Sequence, residues 1–122
     1  MTIGGKNYSL VDYKWKVASH HNESRPDSMA RCAFLEVTVE TPGMENLSLM
    51  NWYVAQSSQD GTIQIQMEDV TGDPIKEVKF GSAICYAIAE TYHIDKYAKR
   101  ALRLSLAVES LTVDNIVFTA EL

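Results

Sequence analysis

Cysteine, proline and histidine are scarce in this chain, at two, three and three copies, and each scarcity removes a class of explanation. Cys32 and Cys85 stand far apart within apolar runs, and neither has a second cysteine near it at metal-ligand spacing. Both therefore read as reduced, buried thiols rather than as parts of a disulfide framework or a zinc site. A disulfide is further disfavoured where no secretory leader is present. The amino terminus, Met1-Thr-Ile-Gly-Gly-Lys-Asn-Tyr8, has no hydrophobic segment after a basic start, so cytoplasmic accumulation is expected. No apolar run approaches the length of a membrane span. Positive charge is short as well. Eleven basic residues stand against sixteen acidic ones, for a formal charge of −5, and the basic ones are scattered. A phosphate-tracking surface is excluded on that count, and nucleic acid is not an expected partner.

What the chain does have is an ordinary globular balance, 46% hydrophobic and 22% charged. Its 122 residues fit one domain over 1–122, which should bury roughly two-thirds of its unfolded surface. The most informative stretch runs from Leu47 to Phe80, because its hydrophobic period changes once. Leu47, Met50 and Val54 recur at helical spacing, with Trp52 and Tyr53 beside them, whereas Ile63, Ile65 and Met67 alternate with Gln64, Gln66 and Glu68 as a half-buried strand does. The helix, with Leu47, Met50, Trp52 and Val54 as its packing residues, is expected to run to about Gln56.

Around that helix the chain reads as strands. Tyr8 to Val17 places Val11, Tyr13, Trp15 and Val17 on one face, after a turn at Gly4-Gly5. His20 to Ser28 has no apolar residue and carries Pro26 with several turn formers, which reads as the longest loop. Arg31 to Thr41 alternates Ala33, Leu35, Val37 and Val39 against Cys32, Phe34, Glu36, Thr38 and Glu40, and Thr41-Pro42-Gly43 ends it. Thr62 to Val70 and Ile75 to Phe80 form a hairpin about Thr71-Gly-Asp-Pro74. Ala83 to His93 mixes alanines with alternating Ile84, Tyr86, Ile88 and Tyr92; β-branched and aromatic residues favour strand, with Gly81 as a place for a bulge. Leu102 to Glu109 is a strand after a loop near Asp95 to Arg100, and Val113-Asp-Asn115 turns into a last one, Ile116 to Leu122. Short antiparallel strands with one helix predict an all-β fold, an antiparallel β-barrel of two packed sheets flanked by the helix, with an open sandwich as the alternative.

Chemistry is thin. His20 and His21 lie near Glu23 and Asp27, but adjacent histidines in extended chain point apart and no third nitrogen or sulfur ligand is near, so no metal is expected. Glu68, Asp69 and Asp73 lack the ligand alternation of a calcium loop. No serine sits in a Gly-x-Ser-x-Gly elbow or beside an evident histidine base, and Ile3-Gly4-Gly5-Lys6 precedes no helix that would bind phosphate. His93 ends a strand, where an interface or partly buried role suffices. No catalytic set, no metal and no cofactor are expected, and an enzyme is not. Trp52, Tyr53 and Met50 at helical spacing read as core before they read as a cavity lining.

One ordered series of motifs says more. Gly5-Lys6-Asn7-Tyr8 leads to a strand, then a polar loop with Arg25-Pro26, then Glu36-Val-Thr-Val39. Trp52 follows in the helix, then Gly61-Thr62-Ile63, the Asp69 to Lys76 hairpin and Phe80-Gly-Ser-Ala83. In this order, from Gly5 to Val117, the chain resembles the tube proteins of bacterial type VI secretion systems, the hemolysin-coregulated protein or TssD family, and within it the Bacteroidota-type tubes. The resemblance implies a β-barrel with one flanking helix that closes hexameric rings and stacks them into a hollow tube. A contracting sheath and a spike protein would be its partners, with effector proteins as cargo, export without a leader and no membrane insertion. It also makes His20, His21, Asn22, Glu23, Ser24, Arg25, Pro26 and Asp27 the expected contact between subunits or rings. Read without it, the residues also allow a small monomeric barrel that binds an apolar ligand or peptide, with Trp52, Tyr53, Tyr86 and Tyr92 about its mouth.

Overall fold

A computed structural model describes residues 1–22, 25–40, 47–65, 76–93 and 99–119. The strands are β1 (Thr2–Ile3), β2 (Lys6–Asn7), β3 (Ser9–Asn22), β4 (Arg25–Glu40), β5 (Gln59–Ile65), β6 (Lys76–His93), β7 (Lys99–Val108), β8 (Ser110–Val113) and β9 (Ile116–Thr119), with one helix, α1 (Leu47–Ala55). All ladders are antiparallel. The hydrogen-bonded order is β2-β1-β5-β6-β7-β4-β3, with β8 and β9 branching from β6. The first and last members of that path, β2 and β3, are separated in the chain by Tyr8 alone. The sheet therefore curls back on itself, and the return is made by covalent chain rather than by a further ladder. This is the all-β, helix-flanked architecture the alternation predicts.

The curl turns on one corner. The first part of β6 pairs with β5 and β8, and from Ile84 onward it pairs with β7. Between the two, Ser82 takes a left-handed φ of 50° and donates its amide to Asp60 Oδ1 at 2.8 Å. Asp60 is the single β5 residue facing Gly81 and Ser82, the two β6 residues between the pairs Gln59↔Ala83 and Gly61↔Phe80, so the extra residue lies on β6. Opposite, the Glu109 amide donates to the Gly81 carbonyl at 3.1 Å where β7 gives way to β8. Two adjacent strands thus bend together, which lets one sheet fold over the other without losing its ladder.

Inside the fold lie Ala33, Leu35, Val37 and Val39 of β4, Leu102, Leu104, Leu106 and Val108 of β7, Cys85 of the part of β6 that pairs with β7, and Ile63, Val78, Phe80, Ala83, Leu111 and Val113 from the other sheet. Strict alternation on β4 and β7 put these residues on one face. Three expectations need correction. Val11 is 54% exposed, because a register shift between Leu10 and Asp12 makes it the bulged residue and leaves Leu10, Tyr13 and Val17 against the core. On β6 the inward residues are Ala83 and Cys85, which leaves Tyr86 outward, and a shift between Cys85 and Ala87 brings Ile88 back against the core. In the helix Leu49 and Trp52 are the buried pair, with Met50 partly buried against the core, while Val54 is 76% exposed; the side chain of Leu47 lies outside the description.

Helix α1 packs against β6. It ends where Gln56 adopts a left-handed φ of 54°, an αL stop, and the Gln56 side chain donates to the Cys85 carbonyl at 3.2 Å. Trp52 donates Nε1–H to the Ser57 carbonyl at 2.7 Å, so its one polar atom is satisfied while the ring fills the core. Two tight turns use left-handed residues at both positions, as two-residue hairpins require: Gly4-Gly5 between β1 and β2, and Asp114-Asn115 between β8 and β9. The expected Thr71–Pro74 turn, the Asp95 loop and the end of the last strand lie outside the described residues.

Candidate functional site

The loop expected over His20 to Ser28 is instead the far end of a long hairpin. β3 and β4 pair from Ser9↔Glu40 through Ala18↔Cys32, His20↔Ala30 and His21↔Met29 to Asn22↔Arg25. β7 backs β4 only from Ala33 to Glu40. Residues 25–32 of β4 therefore have β3 as their one ladder among the described residues, and the two strands continue past the body as an arm of roughly 25 Å at about 3.3 Å per residue. The segment reads as loop because His20 to Ser28 has no apolar residue to alternate. Pro26 is compatible because each strand of a two-stranded ribbon is an edge. His20, His21 and Asn22 fall on β3 and Arg25, Pro26 and Asp27 on β4; Glu23 and Ser24 lie outside the described residues.

Sequence reasoning did not find a second feature. Beyond the corner, the chain forms a four-stranded sheet in the order β3-β4-β7-β6, the last contributed by residues Ile84 to His93. Among the described residues, β3 from Ser9 onward and this part of β6 each have a ladder on one side only. The two edges are different strands, so joining one to the other on a second copy is a heterologous contact. Only pairing partners reveal such edges, and composition does not encode them.

The outward face of this sheet carries charge and aromatic rings. Glu36 lies between two cations, with Lys14 Nζ at 3.5 Å and Arg103 Nε at 3.3 Å. Phe34 and Tyr86 meet edge to face at 6.1 Å between centroids. Beside them a groove of about 540 Å³ is lined in part by Lys14, Lys16 and Trp15. The aromatic mouth imagined from sequence is not assembled: Trp52 is 3% exposed in the core, while Tyr53, Tyr86 and Tyr92 face outward.

Reactive groups are held rather than poised. Burial pushes the Cys85 thiol above its usual range, and Sγ contacts the Ala87 carbonyl at 3.3 Å, which disfavours the thiolate a nucleophile needs. Burial also lowers the Met1 amine, which donates to the Tyr8 carbonyl at 3.0 Å. Among the described residues no group of three or more His, Cys, Asp and Glu could hold a metal ion, and no helix is long and apolar enough to cross a membrane. Glu68, Asp69 and Asp73 lie outside the described residues.

These features define a small, mostly antiparallel β protein with one flanking helix, whose distinctive parts are surfaces and edges. The family model described as "Hemolysin coregulated protein Hcp (TssD)" matches residues 1–121, and the chain belongs to that family, the tube proteins of type VI secretion, a structural rather than an enzyme family. A solved structure, Hcp1 from Flavobacterium johnsoniae, is similar over 97% of this chain and 95% of that one, with a TM-score of 0.74 at 16% identity. At that identity the likeness speaks to the fold. No curated protein matches.

Proposed function

We propose that residues 1–122 act as one tube-forming domain, the subunit of a type VI inner tube whose hexameric rings stack and carry effectors, with sheath and spike proteins as partners. The family match over residues 1–121 carries this reading, and the geometry supplies means for it. Joining the β3 edge of one copy to the Ile84–His93 edge of the next is a heterologous contact, which closes a ring if its rotation closes. Main-chain hydrogen bonds would supply the affinity, as in other strand additions. The projecting arm, with His20 to Asp27 at its end, is free to meet a neighbouring subunit or ring. Arg25 there offers a fork for a carboxylate, and Pro26 limits the conformations lost on docking. The subunit would accumulate in the cytoplasm and leave it through the apparatus.

Negative-stain electron microscopy of the purified protein, with its mass from light scattering, tests the reading. Six-subunit rings with an open centre are expected. A compact monomer at micromolar concentration would overturn it.

A further inference from the structure

Phe34 and Tyr86 present an unexplained surface. Both are large rings left open to solvent, 38% and 51% exposed, on strands whose inward faces are already filled by Ala33, Leu35, Cys85 and Leu106. Tyr86 follows the inward Cys85 and so points outward, and the register shift between Cys85 and Ala87 leaves it the unpaired residue of a bulge, a feature that commonly lies beside a binding site. The floor between the rings and the charges is low. Ala107 stands opposite both Phe34 and Ile84, and Ser105 opposite both Glu36 and Ala87. The resulting groove, about 540 Å³, is in the range of sites that hold a few side chains.

Its charge is opposite in sign to the molecule's. Glu36 is shared by Lys14 and Arg103, so one cationic charge there is left over. Lys16 adds another and has no ion-pair partner among the described residues. This local excess sits on a chain of formal charge −5. A nucleic acid would bring many charges against that net repulsion, whereas one or two carboxylates match the excess. Lys16 lies directly across from Phe34 in the β3–β4 ladder, which sets the cation and the ring about 5 Å apart at their Cβ atoms.

We propose that this groove binds an extended peptide segment of another protein that sets a carboxylate beside an aromatic or branched apolar side chain. The carboxylate pairs with Lys16, with Lys14 adding to the field, and the apolar side chain lies on the Phe34–Tyr86 pair. The groove is complete within one copy, so the proposal goes beyond ring assembly and does not depend on it.

Isothermal titration calorimetry at low salt, using the capped peptide Gly-Glu-Phe-Glu-Leu-Gly and the full chain, tests it. Sub-millimolar binding is expected. Replacing both glutamates of the peptide by glutamine should weaken binding about fivefold or more, and Lys16→Glu or Phe34→Ser about tenfold. Lys79→Glu, on the other sheet, should leave binding unchanged. Absence of binding at millimolar peptide, or equal binding by the glutamine peptide or by Lys16→Glu, would overturn the proposal. So would a changed solution mass of peptide-free Lys16→Glu, which would assign the groove to a second copy of this chain.

Discussion

In its near half the β3–β4 hairpin is backed by β7, and Ala33, Leu35, Val37 and Val39 are each at most 1% exposed. In its far half, from Ala18↔Cys32 to Asn22↔Arg25, the same two strands pair with each other alone among the described residues. The backbone is extended in both. What differs is the third partner, and with it the source of stability. A two-stranded ribbon is marginal by itself in water, so the far half is held by its ladder and by the rigid base it grows from. Under the proposed assembly its remaining contacts would come from another molecule.

The difference can be broken most severely from the near side. Leu35→Ala empties a fully buried site against the β7 leucines and should cost about 2 to 5 kcal/mol in denaturant titration. A loss under about 1 kcal/mol would mean that the near half is no better backed than the arm. A smaller effect is expected at the corner that brings the two sheets together. Gly61 lies directly opposite Phe80, and a Cβ at position 61 would overlap the Phe80 ring. Gly61→Ala should therefore cost about 1 to 3 kcal/mol through overpacking, read as a fall in Tm. On the arm, Arg25→Glu should move stability by no more than about 0.5 kcal/mol and yet weaken stacking. Melting curves beside electron microscopy at moderate salt separate the two effects, and unchanged tubes would remove Arg25 from the joint.

The same contrast explains what the sequence could reveal. Strands β4 and β7 were legible because each has one buried face, which forces Ala33-Leu35-Val37-Val39 and Leu102-Leu104-Leu106-Val108 into strict alternation. The turn at Asp114-Asn115 was legible because few residues accept two successive left-handed positions. The arm was not, since His20 to Ser28 has no apolar residue to alternate and carries Pro26. The bulges at Val11 and Tyr86 were hidden too: a single inserted residue flips the faces beyond it, and alternation counted across the break assigns both residues inward. On the helix, Val54 fits the period, but the contact with β6 is too short to use it. The groove beside Phe34 and Tyr86 depends on pairing between distant strands, so no local pattern announces it.

The smallest effect is expected in the β8–β9 hairpin, which resembles the arm in having one side open: Ile116 and Val117 are 62% and 64% exposed. Lys76 Nζ reaches Asp114 Oδ2 at 2.6 Å and ties its turn to the start of β6. The hydrogen bond from Lys76 holds the Asp114 carboxyl below its ordinary value of 3.8, and the same bond raises Lys76 above 10.5. A depressed carboxyl stabilises the fold fully above its unfolded value and loses that contribution as pH falls through the folded one. A raised ammonium does so below its unfolded value and loses it as pH rises through the folded one. The tie should accordingly be strongest between 3.8 and 10.5 and fade outside that window on either side. Both groups are open to solvent, so the effect is small and salt-sensitive. Asp114→Asn keeps a residue that accepts the left-handed φ of 50° and removes only the charge. It should lower Tm slightly at neutral pH, with the difference from the parent vanishing in acid. A difference that persisted unchanged in acid would locate the effect in the turn's backbone instead of the ion pair.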